Sequence, residues 1–254
     1  MRKLRGRSVK RPKGTLSGHA AGLPFEDLVN QQLRDSFPGQ TYRHFELLNH
    51  LFRNSPKLTT SESRDSLLGP PSLQGLLRRG RKATNEWTNK KQFSEKQNDT
   101  AETIILPTRK LEIRSNSGKP LILIDVKTQN NDKRSQPPNI ISADKVANFC
   151  RAALEFEDRL AFRIFYVAIK WQASKSRLTC CDTRVVSLTR IAPASLYINW
   201  AAARQIQFHP FDAPQTYRRD ELEWAHDFLS VYCNQLEKRI SKDRKKLKTF
   251  RSVI

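Results

Sequence analysis

Residues 121–126 (LILIDV) constrain the fold most strongly, because they form an almost continuous apolar run with one embedded acid. Such a run is typical of a strand covered on both faces, as in the inner strands of α/β proteins. A helical pattern over about 143–157 follows, then alternating strand patterns over 161–171 and 178–191 and a long helix from about Asp220. We therefore predict an α/β fold with a central mixed β-sheet flanked by helices.

The remaining patterns are shorter. A first helix is expected to begin at Pro24, whose fixed φ suits the first helical position, and to end before Pro38-Gly39. The other predicted elements are a helical pattern through 45–52, a short helix starting at 73–77, strands at 102–106, 111–114 and 196–198, and a loop at 130–139.

The charge of the chain lies mainly at its two ends. The sequence has 46 Lys and Arg against 25 Asp and Glu, a formal net charge of +21 in 254 residues. Residues 1–13 hold seven cations and no acid, and residues 238–254 hold eight cations and one acid. These ends are either solvated basic tails or arms that bind phosphates. Both interpretations favour nucleic acid as the partner.

Missing motifs exclude several function classes. The sequence has no P-loop, dinucleotide-binding or serine-hydrolase motif, and its four cysteines show no metal-knuckle spacing. No apolar stretch approaches the ~18 residues of a membrane span, and the basic start leads into no signal-peptide core. We expect a cytoplasmic protein with reduced thiols and no membrane partner.

The chemistry is expected between residues 99 and 127. Asp125 ends the apolar strand, and Lys127 follows in D-V-K, so the period of two puts both side chains on one face. Asp99 and Glu102 stand at the start of the preceding predicted strand. Two antiparallel strands would therefore bring an acid from each strand together, with a lysine beside them.

That set of side chains suits metal-assisted hydrolysis of a phosphodiester. Two close carboxylates repel each other unless a cation lies between them, and oxygen ligands favour Mg²⁺. The cation lowers the pKa of a bound water, and the lysine orients that water or stabilises charge in the transition state. A D-x-K alone is also a common way to end a strand with exposed charges, so the upstream acids and the basic chain carry the functional interpretation.

Five sequence blocks in and around this segment carry a specific resemblance. They are KGTLSGHAAGLPFE (13–26), EKQNDTAE (95–102), LIDVKT (123–128), PPNIISA (137–143) and LYINWAAARQIQFH (196–209). The acid…(D/E)-x-K pattern resembles the PD-(D/E)xK nuclease superfamily, and these words resemble the HincII-type type II restriction endonucleases. The blocks run in order over most of the chain, and the resemblance implies a restriction-endonuclease-like fold.

The resemblance also implies active-site roles. It assigns Asp125 and Lys127 to the active site, with Thr128 adjacent. The second family acid is an aspartate, and Glu102 stands at that position here. Glu102 and Asp125 would hold Mg²⁺, with Asp99 as the reserve ligand. The longer side chain of Glu102 and a longer hairpin over 107–120 are expected to affect rate and metal preference rather than reaction type.

Two blocks are implied to read DNA. Gln136 matches the family's intercalating glutamine, and Asn139 in the same loop is a contact residue. Asn199 matches the major-groove reader, with Ala201, Ala202 and Ala203 leaving room for close approach. Asn and Gln present paired donors and acceptors that match a purine edge. Without the resemblance, a polar loop and a buried small-residue turn would be the favoured interpretation.

The implied protein is a bacterial homodimer that binds double-stranded DNA. Family members cut GTYRAC centrally, leaving 5′-phosphates, and the Y-R degeneracy suits shape readout at flexible central steps. A cognate DNA methyltransferase would act on the same site. We expect a basic arm at 1–13 and one domain at 14–254, with a helical dimerisation part at about 14–95 and a catalytic and DNA-reading part at about 96–254. The alternatives are a structure-specific repair or recombination nuclease and a non-catalytic basic DNA-binding protein.

Overall fold

The computed structural model describes residues 2–13, 18–43, 46–47, 103–106, 121–132, 137–155 and 162–252. Its helices are α1 (Gly18–Ser36), α2 (Ala143–Glu155) and α3 (Glu221–Arg251), with short 3-10 helices at Arg2–Leu4, Leu188–Arg190 and Pro193–Ser195. Its strands are β1 (Ser8–Lys10), β2 (Thr41–Arg43), β3 (Thr103–Ile105), β4 (Leu121–Asn130), β5 (Asn139–Ser142), β6 (Phe162–Ala173), β7 (Arg177–Ser187), β8 (Tyr197–Asn199) and β9 (Gln205–Gln207).

The larger of two sheets in these ranges has the strand order β1-β7-β6-β4-β3-β2. β4 and β6 pair in parallel, and the other neighbours in this sheet pair antiparallel. The chain leaves β4 and returns to β6 through α2, as a parallel pair requires a crossover connection. The smaller, antiparallel sheet has the order β5-β9-β8. The predicted mixed sheet flanked by helices is confirmed.

β4 is buried on both faces, as its apolar sequence predicts. Leu123 packs in a cluster with residues of α2, α3 and the smaller sheet, whereas Ile124 and Val126 pack in a second cluster that contains Phe25 and Val29 of α1. The large sheet therefore has α1 on one face and the α2, α3 and small-sheet layer on the other. This double cover places β4 at the centre of the fold.

The predicted start of the first helix is wrong. α1 begins at Gly18 and contains Pro24 in its interior. Proline removes one backbone hydrogen bond there, but the stripe Phe25, Val29 and Leu33 recurs at every fourth position and is 0–3% exposed. Burial of this stripe against the sheet decides where the helix lies, and the proline does not terminate it.

The two basic ends have different structures. β1 pairs with β7 and Leu4 is buried, so the described N-terminal residues form an edge of the sheet, which differs from the solvated tail considered above. The C-terminal cations lie on α3, which begins at a capping box between Asp220 and Glu223. None of the helices in the described ranges combines the length and apolarity needed to span a membrane.

Several predicted elements lie outside the described residues. These are most of the helical pattern at 45–52, the short helix at 73–77 and the strand at 111–114. The other predicted strands agree with β3, β6, β7 and β8 within a few residues.

Candidate active site and DNA-reading surface

Asp125 and Lys127 form the centre of the candidate active site. The prediction that Asp125 ends the strand is wrong, because pairing with β6 continues past the apolar run to Asn130 and both residues lie in the middle of β4. Lys127 Nζ is 2.8 Å from Asp125 Oδ2. The two side chains are only 13% and 21% exposed, respectively. The predicted common face of these residues is thus confirmed. Because solvent is largely excluded, the attraction between the two charges is stronger than on an open surface.

The strand that carries the second predicted acid lies beside β4. β3 is antiparallel to β4, and Thr103 is the Cα partner of Ile124. The predicted antiparallel arrangement of these two strands is confirmed. Glu102 and Asp99 themselves lie outside the described residues.

Glu26 is a further carboxylate beside this pair. It lies on α1, and a β-carbon on Gly22 would be 3.5 Å from Glu26 Oε1 and 3.7 Å from Thr128 Oγ1. Burial, reinforced by the negative charge of Asp125, raises the pKa of Glu26 to about 7, and Lys127 opposes this rise. A helix from the other side of the sheet thus brings a second acid into the electrostatic field of Asp125 and Lys127.

Polar contacts fix α1 against the sheet. Thr103 Oγ1 donates a hydrogen bond to Asn30 Oδ1, and both side chains are buried. Arg43 of β2 forms an ion pair with Asp27. A buried hydroxyl needs a partner, so the Thr103–Asn30 bond specifies how α1 sits over the strand that follows Glu102 in the chain.

The small sheet brings two of the predicted DNA-reading residues together. Asn199 Nδ2 donates to Gln207 Oε1 at 3.1 Å, and Gln207 Nε2 donates to Asn139 Oδ1 at 2.7 Å. Ile198 and Ile206, which directly precede Asn199 and Gln207 in their strands, are 2% and 0% exposed. The sheet is therefore apolar toward the core and carries amides on its other face.

The alanine run forms a tight turn after Asn199. Asn199 Oδ1 accepts hydrogen bonds from the backbone N–H groups of Ala201 and Ala202. Ala203 and Arg204 then have φ of 49° and 55°, a left-handed conformation that residues with a β-carbon seldom adopt. Asn199 closes this small-residue turn, and Ala201 and Ala203 are exposed, so the turn is not the buried one that would be favoured without the resemblance. Gln136, the predicted intercalating residue, lies outside the described residues.

Two residues of these sites were not predicted from the sequence. They are Glu26 and Gln207. The available signal was their position in the sequence blocks that carry the resemblance. Glu26 ends the block 13–26, and Gln207 lies within the block 196–209. Spacing alone could not connect Glu26 with Asp125, since the two are 99 positions apart in the chain.

The donor set of the candidate site is compatible with a hard divalent cation. Glu26 and Asp125 are carboxylates whose negative charges oppose each other, and a cation between such groups relieves that repulsion. The described ranges alone contain no group of three or more His, Cys, Asp or Glu arranged to hold a metal. Complete coordination would thus involve residues outside those ranges or solvent.

Comparisons with known proteins identify the family of this chain. The model of the family described as restriction endonuclease HincII matches residues 1–254. The chain belongs to the HincII restriction endonuclease family. It is 41% identical over 253 residues to the type II restriction enzyme HindII of Haemophilus influenzae. The matched region covers 99% of this chain and 94% of that enzyme. The type II restriction enzyme HincII of Haemophilus influenzae is 40% identical with the same coverage.

Family membership covers both parts of the candidate site. The match includes the Asp125–Lys127 pair on β4 and the amide-bearing strands β5, β8 and β9. The resemblance to HincII-type enzymes is confirmed over the whole chain rather than in isolated words.

Proposed function

We propose that this member of the HincII family is a type II restriction endonuclease that cleaves both strands of a short palindromic DNA site. The observation that carries the proposal is the shielded contact between Lys127 Nζ and Asp125 Oδ2 in the middle of β4. Membership in a restriction endonuclease family supports the reaction class, and the net charge of +21 supports a polyanionic substrate.

Asp125 and Glu102 are the proposed Mg²⁺ ligands, with Asp99 in reserve. Thr103 and Ile124 are Cα partners on antiparallel strands, and in the sequence Glu102 directly precedes Thr103 while Asp125 directly follows Ile124. A bound Mg²⁺ would supply an acidified water and charge neutralisation at the phosphate. Carboxylate oxygens are the ligands that this cation prefers.

Lys127 is the proposed catalytic lysine. An ammonium group has three N–H donors, and one of them is directed to Asp125, which fixes the position of Nζ. The others orient the attacking water and stabilise negative charge on the phosphate oxygens as the P–O bond forms. Cleavage of the bond to the 3′ oxygen leaves a 5′-phosphate. Thr128 follows Lys127 in the chain. Its Oγ1 is 3.7 Å, and Glu26 Oε1 is 3.5 Å, from the position that a β-carbon on Gly22 would occupy.

DNA binding is assigned to Thr128, Gln136, Asn139, Asn199 and Ala201. Asn139 and Asn199 lie on the amide-bearing face of the small sheet, and Ala201 lies in the turn that Asn199 closes. Gln136 precedes β5 by three positions and is the proposed intercalating wedge. The proposed site is GTYRAC, cut at its centre, with the Y-R step read through DNA deformability.

A homodimer is the proposed active form. A two-fold symmetric protein matches a palindrome, and each subunit then cuts one strand. The dimer contact is assigned to the part before Asp99. The protein is proposed to be cytoplasmic, and its functional partner is the cognate DNA methyltransferase that modifies the same site.

Cleavage of defined DNA tests the proposal. A plasmid with one GTYRAC site is incubated with the full chain and Mg²⁺, and a plasmid without the site and a reaction with EDTA serve as controls. We expect one linear product whose sequenced ends are blunt and 5′-phosphorylated. Nicks or cleavage of branched DNA alone would instead indicate a repair nuclease, and a gel shift with intact plasmid would indicate a binding protein.

A further inference from the structure

Gln207 links the two asparagines proposed to read DNA. Its side chain accepts from Asn199 Nδ2 at 3.1 Å and donates to Asn139 Oδ1 at 2.7 Å. β9 is the middle strand of the small sheet, and Gln207 is the Cα partner of both Asn139 on β5 and Tyr197 on β8. One amide therefore bridges the full width of this sheet.

Backbone groups fix the direction of this amide relay. Asn199 Oδ1 accepts from Ala201 N at 3.0 Å and from Ala202 N at 3.1 Å, and a backbone N–H cannot act as an acceptor. Asn199 must therefore present its NH₂ group to Gln207. Gln207 in turn must present its carbonyl to Asn199 and its NH₂ group to Asn139. None of these three side-chain amides can be flipped without losing a hydrogen bond.

This direction decides what Asn199 can offer a ligand. An amide oxygen has two acceptor positions, and the two alanine N–H groups occupy both on Asn199. Its NH₂ group has two hydrogens, and Gln207 takes one. Counting the described residues, Asn199 is left with one N–H donor and no acceptor position. Asn139 is exposed, and no described residue takes either N–H donor of its NH₂ group.

We propose that Gln207 is a positioning residue for sequence recognition, which holds Asn139 and Asn199 as hydrogen-bond donors toward acceptor atoms of DNA bases. Guanine, with N7 and O6 in the major groove, is the base edge that offers two acceptors and no donor there. This role rests on the proposed function. It adds a residue that acts by hydrogen-bonding to other side-chain amides and not by acting on the phosphate that is cleaved.

Selectivity measurements with Gln207→Met test this role. Methionine keeps the length of the side chain and removes both hydrogen bonds. The matched control is Gln205→Met, because Gln205 lies on the same strand and face and has no side-chain hydrogen bond among the described residues. The measured quantity is kcat/KM on a cognate duplex divided by kcat/KM on duplexes with one substituted base pair.

We expect Gln207→Met to lower this ratio by about 10-fold or more, since one well-placed donor–acceptor pair supplies discrimination of this order. Gln205→Met is expected to keep the ratio of the wild type. Thermal unfolding of each variant reports whether the fold is retained. A purely structural role would lower stability and overall activity together and leave the ratio unchanged, which would overturn the proposal.

A second variant keeps the test decisive if Gln207→Met does not fold. Gln207→Glu retains the acceptor for Asn199 and loses the donor to Asn139, so we expect it to reduce the ratio as well. The added negative charge weakens binding to every duplex alike and cancels in the ratio. Wild-type protein without site-specific cleavage would refute the proposed function, whereas a selective wild type with equally selective Gln207 variants would refute only the role of Gln207.

Discussion

Lys127 and Asp125 are held together by a contact of 2.8 Å between Nζ and Oδ2 in the middle of strand β4. Both side chains are mostly shielded, which distinguishes the pair from the exposed charges that often end a strand. A half-buried charge that loses its partner becomes costly, so each residue depends on the other for its compensating charge. This mutual dependence leads to separate predictions for the two residues.

Asp125→Ala is expected to abolish cleavage and to leave DNA binding in place. Loss of a metal-binding carboxylate removes both water activation and charge neutralisation, for which a decrease of about 1000-fold or more, or ~4 kcal/mol, is expected. Plasmid cleavage and salt-dependent gel shifts measure the two properties. Asp132→Ala, an exposed acid just after the same strand, is the control. Normal cleavage by Asp125→Ala would refute the assignment of the site.

Lys127→Met is expected to lower kcat by about 100-fold or more, because an electrostatic group at the reacting phosphate is lost. Binding of DNA should change little, since one cation among 46 contributes a small share of the charge. Single-turnover cleavage and equilibrium binding separate these effects. Lys175→Met replaces an exposed lysine in the β6–β7 turn and should cut normally. A selective loss of binding would show that Lys127 acts on affinity rather than chemistry.

The raised pKa of Glu26 predicts that the free energy of unfolding of the metal-free protein decreases as the pH rises. Its pKa is about 7 in the folded protein, above the ordinary 4.5, so the folded state binds the proton more tightly. Stability contributed by this group is present below pH 4.5 and is lost as pH rises toward 7 and above. Glu26→Gln cannot ionise, so it should gain about 1–2 kcal/mol over wild type between pH 4.5 and pH 8, after allowance for solvent screening.

Urea unfolding in EDTA at the two pH values measures this difference. Glu155→Gln, which alters a carboxylate on α2 whose partner is Arg151, is the control. Equal pH dependence in both variants would contradict an effect specific to Glu26. Because Glu26 lies beside Asp125 and Lys127, the gain in stability is also expected to come with lower cleavage activity, in line with strained charges at functional sites.

The local sequence was sufficient to predict the central strand and the contact between its two charged residues. The run 121–126 specified a strand buried on both faces, and the period of two predicted the Asp125–Lys127 contact. Both inferences depend on interactions within a few residues of one strand. The crossover from β4 to β6 also followed from local patterns, because a helix between two apolar strands has few alternative placements.

Tertiary contacts decided what the sequence did not predict. Pro24 marked a helix start by local preference, but the buried stripe at Phe25 and Val29 carries α1 through it. Glu26 meets Asp125 only because α1 packs across β4, and Gln207 meets Asn139 only through the pairing of β9 with β5. No local spacing encodes contacts of this kind.

The buried bond between Asn30 and Thr103 is expected to fix α1 on the sheet. Thr103→Val keeps the shape of the side chain but leaves Asn30 Oδ1 without its donor, so a loss of about 1–3 kcal/mol in the free energy of unfolding is expected. Replacing both partners in Asn30→Leu/Thr103→Val should cost less than the sum of the single changes. Denaturant unfolding of the four proteins gives the coupling energy, and strict additivity would contradict the role of this bond.

The exposed end of α3 is expected to contact DNA phosphates. Residues 238–252 are exposed, and this segment holds eight cations and one acid, Asp243. Replacing Lys245, Lys246 and Lys248 with Gln should reduce the slope of log K against log[salt] by about 2.7, since each of three phosphate contacts contributes about 0.9. Leu247→Ser/Phe250→Ser, which removes exposed apolar side chains from the same turns and keeps the charge, should retain the slope. An unchanged slope in the triple variant would identify these turns as a solvated helix end, while the sequence selectivity of cleavage should be the same in all three proteins.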